Sequence, residues 1–287
     1  MSSIIAISPR RRRTDIFARG MFFLGLILAL TPLVLVLYYV VVRGIGALDL
    51  HFFTSDPTGA FFGDQGGVRS AILGTIEIVA LATIIAVPIG IAVAVYLNEI
   101  DKRTKIATTV RYFIDVLTGV PSIVFGLFVY SVMVLVSVGG GFAAWKGSVA
   151  LALLMLPVVT RASEIALALV PDSLREAALA LGAPRWRMIT RVVLPTALPG
   201  LVTGSLLAIA RAAGETAPLL FTVLGAQVLT FSLNAQMNSL PLQIFNDVRA
   251  PNPQLVQRAW GAALTLILII LIISIAARVA SRKNKLI

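Results

Sequence analysis

The chain has 287 residues, 58% of them hydrophobic and only 13% charged, with a mean hydropathy of +0.95. Soluble domains carry about 25% charged residues, so a soluble globular fold is excluded, and the absence of cysteine excludes disulfides, thiolate metal sites and cysteine nucleophiles. The net charge of +11 does not indicate nucleic acid, because the basic residues flank apolar runs and are not interleaved with stacking aromatics.

Taken in chain order, the apolar runs predict six spans, at about 20–42, 71–97, 112–136, 148–169, 197–225 and 260–280. They divide the chain into a basic N-terminal segment 1–19, a membrane domain 20–280 and a basic tail 281–287. Arg10 to Arg13 ahead of the first run imitate a signal peptide. That run is about twice the length of a signal core and lacks a small-residue cleavage site, so it reads as an anchor. Arg10–Arg13, Arg19, Lys102, Arg103, Lys105, Arg111, Arg175, Arg185, Arg187, Arg191, Arg278, Arg282, Lys283 and Lys285 fall on one side. Only Arg43, Arg69, Lys146, Arg249 and Arg258 fall on the other, and this bias places both termini in the cytoplasm. Backbone groups in lipid must be satisfied within the segment, so the fold class is all-α, a six-span helical bundle. Pro88, Pro121, Pro157 and Pro218 are expected to kink or break their helices. The lone His51 lies in a predicted loop and reads as a surface residue; no metal-ligand cluster or nucleophile–base set is apparent.

Three stretches carry chemistry. In span four, Arg161 and Glu164 toward the cytoplasmic end suggest a local pair or a contact with the following loop. In that loop, 171–196, Ser173 and Glu176 have capping-box spacing, Leu174–Leu181 are helix formers, and Gly182 is a stop. A second helix is expected from Pro184, with return to the membrane at Leu194-Pro195. By physics alone this is an interfacial element that membrane lipid would hold. In span five, Arg211 is expected roughly midway, where an arginine costs about 2.5–3.5 kcal/mol. Glu215 follows four residues later on the same face. The two read either as an ion pair or as an anion-binding arginine tuned by a carboxylate, beside Thr216 and the helix-weakening Gly214 and Pro218. The outer loop at about 226–259 reads as ordered and polar.

Glu176-Ala177-Ala178, Gly182 and Leu194-Pro195 resemble the EAA signature of ABC importer permeases, with Val192 replacing the usual Ile. The resemblance implies that 171–196 is a coupling helix docking into a cleft of a separate ATPase. No Gly-x-x-x-x-Gly-Lys-Ser/Thr loop is present, so the chain has no ATP site of that kind, and ATP and Mg would be bound by partner subunits. Arg211-Ala-Ala-Gly-Glu215-Thr216-Ala-Pro218 and Gly119-Val-Pro121-Ser122-Ile-Val-Phe-Gly126 resemble motifs of phosphate-specific transport (Pst) permeases. Ala217-Pro218-Leu219 leans toward the PstA type. The resemblance implies a non-catalytic permease subunit of a phosphate importer in the bacterial inner membrane. Its implied partners are a PstC-type permease, two ATPase subunits and an extracytoplasmic phosphate-binding protein. Gly119, Pro121, Ser122, Pro218, Arg161 and Glu164 would then gate or support a pathway holding Arg211, Glu215 and Thr216, with direct cargo contact by Arg161 and Glu164 as the alternative. An ABC permease for sulfate, molybdate or an amino acid, and a self-contained secondary transporter, are the rival readings; the second gives the coupling loop no task.

Overall fold

Apolar runs as long as a bilayer is thick can satisfy their backbone only as helices or a closed barrel, and here they are helices. The computed structural model describes residues 9–59, 63–102 and 104–283; Arg103 and Lys285 of the basic segments lie outside the described residues. The helices are α1 Pro9–Gly44, α2 Leu50–Thr54, α3 Arg69–Val95, α4 Lys105–Gly119, α5 Ser122–Val129 and α6 Ala144–Ala168. They continue with α7 Asp172–Ala180, α8 Arg185–Met188, α9 Leu194–Ala213, α10 Ala217–Thr222, α11 Leu240–Val248 and α12 Pro253–Lys283. Single π turns extend α3 through Tyr96–Ile100, α5 through Tyr130–Val134, and join α8 to α9 through Ile189–Val193. Among the described residues there is no strand, only an isolated bridge between Pro57 and Gly66.

Five helical runs are long and apolar enough to cross a membrane: Thr14–Ala47, Arg69–Ile100, Ala144–Ala168, Arg185–Ala213 and Pro253–Val279. The third expected span is instead a pair, Lys105–Gly119 and Ser122–Val134, bent by 102°. The break has a local cause. Pro121 donates no N–H and drives the residue before it out of the helical region, and Val120 is extended at φ −70°, ψ 130°. Span five also differs from expectation: it begins at Arg185, within the loop, and ends at Ala213 rather than 225. Arg211 therefore lies in the last turn of α9, not midway along a continuous span. Pro88 and Pro157, by contrast, sit inside unbroken α3 and α6. His51 lies on the short α2, not in a loop, because Asp49 caps that helix by accepting from Phe52 N at 2.6 Å.

The bundle is organised around α6, which packs against α3, α4, α5, α9 and α10. Ile78, Ala82 and Ala86 recur every fourth residue of α3 and meet Leu151, Met155 and Val159, also every fourth residue of α6. Lipid is as apolar as leucine, so close packing of small residues, not exclusion of water, holds such helices together. On α9, Gly200 and Gly204 face Ala166 and Ala162 of α6. A β-carbon at Gly200 would lie 2.6 Å from Ala166 Cβ, and one at Gly204 would overlap Ala162 Cβ. The α1 helix is peripheral and touches the bundle through α12, with the Tyr39 and Trp260 rings edge-to-face at 5.5 Å.

Candidate functional site

The basic end of the bundle is capped by the 171–196 loop. Pro171, at φ −60° and ψ 137°, starts α7 two residues earlier than the sequence suggests. Ser173 is consequently inside the first turn and the expected capping box with Glu176 does not form; no side chain caps this end. The stop is as expected. Gly182 takes φ +78°, where a β-carbon is disfavoured, and its N–H bonds Leu179 O at 3.0 Å while Ala183 N–H bonds Ala178 O at 3.1 Å. The two alanines differ in exposure: Ala178 packs against the cluster of Leu167, Val170, Met188 and Val193, while Ala177 is exposed beside Glu176. Leu194 is half-buried on the same cluster and Pro195 is exposed, following the π turn. The outer face shows Leu181 at 88% exposure and Trp186 at 60%.

Arg175 fixes this loop to the bundle. It donates to both Glu99 oxygens, Nη2 to Oε1 at 2.7 Å and Nε to Oε2 at 3.1 Å. Its remaining donors go to Val170 O at 2.6 Å, Asp172 Oδ1 at 3.0 Å and Leu167 O at 2.9 Å. All five guanidinium N–H groups are used. The side chains are 10% and 2% exposed, and the Glu99 carboxylate holds the guanidinium above its ordinary pKa. One residue thus ties α7 to the last carbonyls of α6 and to the end of span two.

Two helix breaks form the second candidate region. One is the bend between α4 and α5, where Gly119 and Pro121 are exposed and Ser122 is half-buried. The other is Gly214–Thr216 between α9 and α10. They meet, because α5 packs on α10 with Gly126 against buried Pro218. A β-carbon there would lie 2.7 Å from Pro218 Cα. Two sequence motifs about 90 residues apart are therefore in contact. Arg211 is 45% exposed and reaches Glu215 Oε1 only at 3.8 Å, too far for a hydrogen bond; Glu215 is 17% exposed, and Thr216 is half-buried. Arg161 and Glu164 do pair locally, at 2.8 Å, and both also reach α4: Arg161 to Asp115, and Glu164 from Arg111 Nε at 2.5 Å. Among the described residues, the 171–196 loop is not their partner.

Residues 86–285 match the family described as the binding-protein-dependent transport system inner membrane component. The phosphate transport system permease protein PstA of Yersinia pestis is 41% identical over 278 residues, covering 96% of this chain and 92% of that one. PstA 1 of Mycobacterium tuberculosis strain H37Rv is 42% identical over 287 residues, covering 98% and 92%. The chain belongs to this permease family. It is a multi-pass protein of the inner membrane. The fold agrees with a subunit of a bacterial alginate ABC transporter bound to an alginate-loaded periplasmic protein. The TM-score is 0.65 at 16% identity, over 94% of this permease and 96% of that chain. An inward-facing methionine transporter, MetNI, superposes with a TM-score of 0.61 at 22% identity, over 76% and 94%.

Sequence reasoning missed three positions of the permease. Glu99 and Arg175 are 76 residues apart and no local spacing joins them. Arg111 was assigned to the basic side, yet its Nη groups donate to Lys102 O at 3.0 Å and Leu97 O at 2.8 Å. The third lies in the 226–259 segment, which holds α11 and the start of α12. There buried Arg258 holds Asp247 through two bonds of 2.8 Å, and Gln243 bridges Asp247 and Asn238 at 2.8 and 2.7 Å. The outward signal of that network was the polar composition of the loop.

Proposed function

We propose that this permease carries inorganic phosphate inward, as half of a membrane pathway powered by separate ATPase subunits. The observation that carries the reading is Arg211: a barely paired guanidinium, exposed at a helix break that packs on a second break. A charge at such a position is costly unless it faces water or a partner. An arginine edge matches two phosphate oxygens, so Arg211 offers cargo a transient site, with Glu215 limiting its strength and Thr216 beside it. The phosphate permeases at 41% and 42% identity support the choice of cargo.

Both termini and the 171–196 loop lie in the cytoplasm, in keeping with the basic residues on that side. The exposed face bearing Ala177, Leu181 and Trp186 docks on an ATPase, and Arg175 passes the motion of α7 to α6 and to the end of span two. Two such ATPases bind ATP and Mg and perform the hydrolysis, while this chain makes and breaks no covalent bond. A PstC-type permease completes the pathway, and an extracytoplasmic phosphate-binding protein docks on the opposite side, where the hydrogen-bonded 226–259 loop lies. The bends at Pro121 and before Pro218 let the pathway open without unfolding a span, with Gly119 and Ser122 at its first bend.

Labelled-phosphate uptake by phosphate-starved cells lacking the permease, with and without its restoration, tests this. Restoration of ATP-dependent uptake that excess sulfate does not inhibit is expected. Uptake indifferent to the chain, in cells with no redundant phosphate system, would transfer the pathway to another cargo.

A further inference from the structure

Arg161 is a second arginine within a spanning helix, partly exposed and held differently from Arg211. Its side chain is 34% exposed and that of Asp115 is 56% exposed. Charged side chains this exposed are costly in hydrocarbon, so this face of α4 and α6 is read as facing water or a partner surface. Behind the guanidinium the support is layered. Nη1 donates to Glu164 Oε2 at 2.8 Å, Glu164 is 13% exposed, and it accepts from Arg111, which is itself anchored to two backbone carbonyls. In front, Nε and Nη2 both donate to one oxygen of Asp115, Oδ1, with the Nε bond at 2.8 Å. The better match for that edge is two oxygens side by side, which a phosphate presents. Once Asp115 withdraws, Arg111, Arg161 and Glu164 leave a net charge of +1.

The level of this site follows from packing. Gly200 opposes Ala166 and Gly204 opposes Ala162, so the antiparallel α6 and α9 place Arg161 opposite about residue 205. Arg211 is then six residues, or about 9 Å, farther from the coupling loop. Asp115 lies one turn before Gly119 and the 102° bend, so its helix leads directly into the break that packs against α10.

We propose that Arg161 is a second oxyanion station of the pathway, about 9 Å nearer the coupling loop than Arg211, and that Asp115 is its built-in competitor. Between transport events the Asp115 carboxylate occupies the Arg161 edge; arriving phosphate displaces it, and its return expels the cargo. This rests on the phosphate reading above. It solves a requirement of transit, that an arginine rigid enough to select phosphate should not retain it.

The test is equilibrium dialysis of labelled inorganic phosphate against the complete detergent-purified complex, without binding protein, together with uptake in proteoliposomes. D115N is expected to retain phosphate about two- to fivefold more tightly, as one partly exposed ion pair would, and to lower the maximal uptake rate. D115E should behave as the native complex, and adding R161Q to D115N should abolish the gain. A merely structural Asp115 would lower uptake without tighter retention, and that result overturns the proposal, as does a gain that persists without Arg161. Should D115N fail to assemble, D115S is measured against the same expectations. If R211Q abolishes retention while D115N leaves it unchanged, the Arg211 reading stands and this one falls. If neither arginine affects retention, both fall.

Discussion

Arg175 and Arg211 stand at opposite ends of the same machine and are held in opposite ways. Arg175 spends every donor on Glu99, Asp172 and two helix-terminal carbonyls and is 10% exposed. Arg211 has one carboxylate at 3.8 Å and is 45% exposed. A saturated arginine has nothing left for a ligand and transmits force, whereas an unsaturated one gives up little when an anion arrives. On the proposed function, the contrast separates a joint from a site although the residue type is the same.

The largest effect on stability is expected from breaking the joint. R175A leaves Glu99 buried with only the Asn98 amide donating to it and takes away the donor to Val170 O, and should cost about 3–5 kcal/mol. The loss would appear as failed assembly or a much lower unfolding temperature in detergent, and E99Q should be milder. Next is the seam between α6 and α9. G204V drives two methyls into Ala162 and should cost about 1–3 kcal/mol, read in the same thermal assay, with A162G restoring part of the loss. G182A places a β-carbon at φ +78° and should cost about 1–2 kcal/mol, lowering phosphate-stimulated ATPase activity of the assembled complex more than its abundance. The smallest stability effect belongs to R211A, within about 1 kcal/mol of native because its pair is long and exposed. If R211A proved as unstable as R175A, the contrast would dissolve.

The six apolar runs and the Gly182 stop were legible because length, composition and a left-handed turn are local properties. The Ser173–Glu176 spacing misled because Pro171 had already set the first turn. Proline was ambiguous in the spans: Pro88 and Pro157 interrupt nothing, while Pro121 bends the chain by 102°. Only packing distinguishes them, since α5 finds α10 to lie against through Gly126 and Pro218. The position of Arg211 was misplaced for a related reason. Apolar residues continue to Val223, so hydropathy cannot see that α9 stops at Ala213. The Glu99–Arg175 and Asp115–Arg161 bonds join residues 76 and 46 positions apart and belong to tertiary structure alone.

The most direct test is labelled-phosphate uptake by R211A, normalised to assembled complex in the membrane. Uptake reduced to near background with normal abundance is the expected result, since the arginine would serve cargo and not the fold. Uptake at the native rate would contradict it, leaving the helix break without an anion to receive there.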